Sequence, residues 1–154
     1  MRPGVLSRDG FLGDDRRPLE EILDADRSAV AALGTTHEEL AAALRAAFDA
    51  AREALGTPVE LGQGLVALHR DAMGRIPCPF GSARGKPSGG CGVFPKGEVE
   101  LADASTGERL VLTELGIHLV GAHGFYQGRG SRYRLEPAAL ARLLRKLAHN
   151  QPKP

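Results

Sequence analysis

The sequence predicts an α+β fold: an N-terminal antiparallel helical hairpin, a small, mostly antiparallel sheet, a short histidine-bearing helix and a C-terminal helix. Three patterns support this prediction. Apolar residues recur at intervals of three and four over residues 18–56, and they alternate with charged residues over 98–113. They return to helical spacing after Pro137. The chain of 154 residues is long enough to form one hydrophobic core of substantial size.

The N-terminal part is predicted to be helical after a flexible start. Residues 1–17 are expected to form a flexible lead-in, because they are rich in Gly, Asp, Arg and Pro and contain few apolar positions. Residues 18–56 are expected to form two helices. Pro18 suits the first turn of one, and Thr35 and Glu38 have the spacing of a capping box at the start of the other. The short connection between them predicts an antiparallel hairpin.

Residues 57–150 are predicted to form a small α+β domain, followed by a frayed tail at 151–154. Alternation of apolar and polar residues predicts two short strands and then a β-hairpin, in PVEL, GLVALHRD and GEVELADASTGERLVLTE. Thr113 is expected to cap a short helix that Gly124 ends, and Pro137 is expected to open the last helix.

Charge is distributed unevenly along the chain. The net charge is +1, but residues 1–62 contain 7 basic and 12 acidic side chains, whereas residues 63–154 contain 13 basic and 7 acidic ones. A basic surplus of this kind can reflect an anionic partner, and the partners considered are nucleic acid and an acidic protein. The alternatives are a solvated charged face, or attraction between the two halves or between two copies.

The sequence predicts a cytoplasmic protein without a membrane partner. The N-terminus MRPGVLSRDGFLGDDRRP contains no apolar core of a signal peptide, and no run approaches the ~20 apolar residues of a membrane span. Two cysteines in such a chain indicate a reducing compartment, where a disulfide is disfavoured. The abundance of Ala, Gly, Arg and Leu is typical of a high-GC bacterial coding sequence.

Two cysteines and two histidines form a predicted metal site with structural zinc as the cofactor. Cys78 and Cys91 flank a glycine-rich segment, and His118 and His123 lie in the predicted short helix. Thiolate and imidazole are common zinc ligands, and four protein ligands leave no open position for catalysis. Positions five apart on an ideal helix point about 140° away from each other. Both rings therefore face one ion only if the helix loosens before Gly124.

The predicted hairpin and the helix that ends in two histidines resemble the later part of a two-cysteine, two-histidine zinc finger. The resemblance covers residues 108–123. It implies a ligand set but no DNA-reading residues, since the cysteines lie far apart and Cys91 precedes the hairpin. Alternatives are a disulfide, unrelated thiols with buried histidines, or His69 in place of one ligand.

A loop rich in arginine and tyrosine, GFYQGRGSRYR, is the predicted binding surface. Arginine contacts phosphate with two hydrogen bonds, and tyrosine stacks on bases or fills interface pockets. Together with two basic residues of the glycine-rich segment, the predicted contacts are Arg84, Lys86, Tyr126, Arg129, Arg132, Tyr133 and Arg134. The alternative is a core tyrosine, with arginines that pair with acidic residues such as Glu98, Glu100 or Glu114.

These features predict a non-catalytic binding or regulatory module stabilised by structural zinc. The first alternative is a cysteine- or zinc-dependent enzyme of unknown substrate, in which a histidine activates a thiol. The second is a homo-oligomeric assembly protein that associates through residues 18–56.

Overall fold

The structure is a computed structural model that describes residues 10–80 and 91–148. In these residues the α+β class predicted from the sequence is confirmed. The elements in chain order are α1 (Leu19–Ala32), α2 (His37–Glu53), β1 (Val59–Gly62), β2 (Leu65–Arg70), β3 (Arg75–Pro77), β4 (Val93–Pro95), β5 (Glu98–Asp103), β6 (Arg109–Thr113), α3 (Glu114–His123) and α4 (Pro137–Ala148).

Four strands form an antiparallel sheet in the order β1-β2-β5-β6. Because side chains alternate between the two faces of a strand, every second residue of β2 and β5 points toward the helices. Ala67 and Leu101 pair across these strands, and both are fully buried. This face packs with residues of all four helices and of the loop between α3 and α4 into the main core: Val30, Leu40, Leu44, Phe48, Ala51, Leu65, Ala67, Val99, Leu101, Leu110, Leu112, Ile117, Val120, Tyr126, Leu135, Leu140, Leu143 and Leu144.

The two N-terminal helices are present, but each packs chiefly on another element and not on its neighbour. α2 packs against α3 and the sheet, whereas α1 packs against α4. The capping box also lies one residue later than predicted. Thr36 has the extended backbone of an N-cap, and its Oγ1 accepts a hydrogen bond from the Glu39 N–H, so Thr36 and Glu39 form the box and Thr35 precedes it.

Residues 10–17, part of the predicted flexible lead-in, pack against the fold as an N-terminal strap; residues 1–9 lie outside the described residues. Phe11 and Leu12 are 7% and 5% exposed. The Gly128 N–H donates to the Phe11 carbonyl, and a Cβ at Gly128 would overlap the Leu12 backbone. Glycine is therefore required in the arginine-tyrosine loop because the strap packs directly against it.

β3 and β4 form a separate two-stranded sheet that the sequence analysis did not predict. Each strand has three residues, with Ile76 opposite Phe94, and such short strands show no clear alternation. Beside this hairpin lies a second core of seven buried residues: Phe11, Leu12, Ile22, Cys78, Leu115, Leu119 and Phe125. The strap, the β3–β4 hairpin and α3 therefore meet in one small region.

Candidate metal centre

α3 positions the two histidines through the caps that the sequence predicts. The Thr113 Oγ1 accepts a hydrogen bond of 2.9 Å from the Gly116 N–H, which fixes the start of the helix. The helix ends at Gly124, whose φ of 59° and ψ of 28° are left-handed. His123 is therefore the last helical residue, one and a half turns after His118.

The β3–β4 hairpin positions the two cysteines. Cys78 follows β3 and Cys91 precedes β4, so the antiparallel pairing continues between their segments, where the Cys78 N–H donates to the Gly92 carbonyl at 3.4 Å. Cys78 is buried, Cys91 is half-buried, and no disulfide joins them. The glycine-rich segment between them lies mostly in residues 81–90, outside the described residues.

The structure brings all four predicted ligands together. One ligand atom from each of Cys78, Cys91, His118 and His123 lies within 4.8 Å of the other three. The His123 Nε2 is 3.5 Å from the Cys78 Sγ and 3.3 Å from the Cys91 Sγ, and the two imidazole centroids are 5.1 Å apart. This group could hold a metal ion, with two ligands from the β3–β4 hairpin and two from α3.

The state of the histidines also fits metal binding. Among the described residues, the buried His118 Nε2 has no hydrogen-bond partner, which is costly for a polar atom in the interior. Burial lowers the pKa of His118, and the neighbouring His123 lowers it further. Burial also lowers the pKa of His123. Both rings therefore favour the neutral form, which is the form that coordinates a metal.

Two phenylalanines complete the surroundings of the site, and the sequence analysis missed both. Phe80 stacks on His123 with ring centroids 4.4 Å apart, and Phe94 lies 4.7 Å from His118 at a tilt. These contacts fix the ring orientations and shield them from water. A signal was available, since each cysteine is followed by a phenylalanine two or three positions later.

Two residues of the predicted arginine-tyrosine surface make their side-chain contacts inside the fold. Tyr126 is 1% exposed, and its hydroxyl lies 2.8 Å from the His37 Nδ1. The Arg134 side chain is 10% exposed and forms two hydrogen bonds with the Asp26 carboxylate. The structure thus corrects the prediction at these positions, because both side chains are used to connect α1 and α2 to the loop.

The remaining predicted contacts are partly accessible. Arg132 donates from both Nη atoms to Glu98, and the Tyr133 hydroxyl donates to the same carboxylate at 2.6 Å. Arg129 is exposed, and its backbone N–H donates to the Asp15 carboxylate. Two further predicted contacts lie outside the described residues: Arg84 and Lys86.

No protein-family model matches this chain, and no significant match is found among curated proteins or solved structures. Within residues 10–80 and 91–148, none of the helices combines the length and the apolar character needed to cross a bilayer.

Proposed function

We propose that this protein is a non-catalytic binding module whose fold is stabilised by structural zinc at Cys78, Cys91, His118 and His123. One observation carries the proposal: four ligand atoms from two distant chain segments lie within 4.8 Å of one another. Unrelated residues seldom converge in this way, and one of these imidazoles has a buried nitrogen that a metal would satisfy.

The distances support zinc in particular. Bond lengths of about 2.3 Å to sulfur and about 2.0 Å to nitrogen place tetrahedral sulfur and nitrogen ligands about 3.5 Å apart. The His123 Nε2 lies 3.5 Å and 3.3 Å from the two sulfurs. Two thiolates and two imidazoles also favour zinc over magnesium or calcium, which prefer oxygen ligands.

A structural role follows from the number of ligands and from the neighbouring elements. Four protein ligands complete a tetrahedron and leave no position for a reacting water. A two-stranded sheet with three residues in each strand is marginally stable by itself. Zinc would join this hairpin to α3 and contribute its binding free energy to folding.

Metal analysis tests the zinc proposal directly. Protein purified with zinc in the buffer should retain one zinc per chain after gel filtration, as measured by mass spectrometry of the metal. Cys78→Ser and His118→Gln should each lose the metal. His69→Gln is the matched control and should retain it, because His69 packs on Phe48 outside the cluster. Equal zinc contents in all three variants would contradict the proposal.

The partner in this proposal is nucleic acid or an acidic protein, contacted by the exposed part of the arginine-tyrosine loop. Arg129 is exposed and makes no ion pair within the described residues. The Arg132 side chain stays 53% exposed although it pairs with Glu98. The Asp15 carboxylate holds the Arg129 backbone, so this part of the loop is fixed by the strap before any partner binds.

Salt-dependent binding tests the proposed partner and the proposed binding surface. A fluorescently labelled single-stranded oligonucleotide should bind zinc-loaded protein, with an affinity that falls steeply as salt rises. Arg129→Glu should weaken this binding, whereas Arg145→Glu on the exposed side of α4 is the matched control. An acidic protein partner is indicated if the oligonucleotide fails to bind while an acidic peptide binds with the same dependence on Arg129. Affinities independent of Arg129 for both probes would refute the proposed surface.

One observation favours the enzyme alternative. The Cys91 Sγ lies 3.3 Å from the His123 Nε2, a distance at which an imidazole can take the proton of a thiol. The same atoms cannot serve both roles at once, since a thiolate bound to zinc is occupied. Protein that is metal-free as purified, with Cys91 alkylated much faster than an ordinary thiol, would favour the enzyme.

Association of two copies of this chain through residues 18–56 also stays a prediction. The apolar side chains of α2 are used within the chain, since Leu44 and Phe48 lie in the main core. A second copy would therefore have to contact the outward faces of α1 and α2.

A further inference from the structure

A cavity of about 280 Å³ opens next to the metal centre without including any of its four ligands. We propose that this cavity binds a small organic anion with an apolar body and one carboxylate. The inference goes beyond the proposed function, and it rests on it in one respect: the β3–β4 hairpin that zinc would hold also supplies part of the cavity wall.

The floor of the cavity is apolar and packed from behind. Phe11 of the strap and Leu115 of α3 line it, and both belong to the second core, with 7% and 3% exposure. Ile76 of β3 completes this side. Three separate chain segments therefore supply one apolar surface, and their burial indicates that it exists before a ligand binds.

The charged side chains that line the cavity favour an anionic ligand over a cationic one. Glu98 lines the cavity, but its carboxylate already accepts hydrogen bonds from Arg132 and from the Tyr133 hydroxyl. The negative charge of Glu98 is therefore compensated by Arg132, and Glu98 attracts a cation only weakly. Lys96 also lines the cavity, is exposed, and makes no ion pair among the described residues. Of the two charged side chains that line the cavity, Lys96 is therefore the one whose charge is uncompensated.

The size of the cavity limits the ligand to a small molecule. Ligand cavities usually measure about 300–1,000 Å³, so this cavity is slightly smaller than the usual range. A single ring or a branched aliphatic chain suits the apolar part of the lining, and Lys96 is the lining cation that can pair with a carboxylate. Benzoate combines these two features and serves as the probe.

Titration of isotope-labelled, zinc-loaded protein followed by NMR tests the inference. Benzoate should cause saturable shifts at the amides of Ile76, Lys96 and Leu115. Benzyl alcohol should bind more weakly at the same place, and benzylamine should cause no saturable shift there. Lys96→Met keeps the aliphatic stem and should weaken benzoate binding about two- to fivefold, the range expected for an exposed ion pair. Arg145→Met removes a cation elsewhere and should leave the affinity unchanged.

Three results would overturn the inference: no saturable shift with benzoate, equal binding of benzylamine, or an affinity that Lys96→Met leaves unchanged. Zinc content is measured in every sample. Protein that holds zinc but does not bind benzoate would refute the cavity inference alone. Protein that holds no zinc would refute the proposed function, whatever benzoate does.

Discussion

The main core and the second core are stabilised by different means. The main core contains eighteen buried residues, contributed by one face of a four-stranded sheet and by the helices and loop packed on it, and apolar burial is the contribution that stabilises it. The second core contains seven, beside a hairpin with three residues in each strand. A region this small needs additional connections, and the structure offers two: the four candidate metal ligands and the strap.

Removal of the metal should produce the largest difference in stability between the two regions. When free zinc is a thousandfold above its dissociation constant, binding stabilises a protein by about 4 kcal/mol. We expect a chelator to abolish hydrogen-exchange protection in β3, β4 and the strap, while the amides of β2 and β5 keep most of theirs. Simultaneous loss of protection in both regions would show that they form one cooperative unit.

Shortening a side chain inside the main core should instead destabilise the whole protein. Leu112 is fully buried, so Leu112→Ala should lower the free energy of unfolding by about 2–5 kcal/mol in a denaturant titration with zinc present. Val111→Ala is the matched control, because Val111 is half-buried and alternates to the other face of the same strand. Equal losses in the two variants would contradict the assignment of the buried face.

A change at the strap should affect the second core with a smaller total effect. A methyl group at Gly128 would overlap the Leu12 backbone, so Gly128→Ala should displace the strap and cost about 1–3 kcal/mol. Gly92→Ala adds a methyl group that meets nothing within 4 Å and serves as the control. Proteolysis within residues 10–17 should accelerate in Gly128→Ala only; an unchanged cleavage rate would argue against the strap packing.

Removal of a helix cap should cause the smallest loss of stability. The caps of α2 and α3 should differ in whether their removal also weakens zinc binding. Thr36 caps α2 and Thr113 caps α3, and replacement of either by Ala should cost about 1 kcal/mol in thermal unfolding. Only Thr113→Ala should also weaken zinc binding, since α3 carries His118 and His123. If Thr36→Ala weakened zinc binding equally, the two regions would be coupled more tightly than their packing indicates.

The candidate site was predictable in its chemistry but not in its geometry. The residue types and the caps of α3 could be predicted, because Thr113 and Gly124 act through neighbours a few positions away. The β3–β4 hairpin that carries the cysteines could not, since three-residue strands show no periodicity. The binding surface was predicted from composition, which does not distinguish the exposed Arg129 from Arg134, whose side chain pairs with Asp26 inside the fold.

The sequence by itself determined the α+β class, the helices, the β5–β6 hairpin and the set of four candidate ligands. These features depend on periodicity and capping, which act over a few residues of one segment. Tertiary structure alone decided that the ligands converge, that the strap packs on the loop and that Arg134 binds Asp26, 108 positions away. Such contacts exist only when distant segments pack together to bury apolar surface. The periodicity of one segment does not indicate which other segment it will contact.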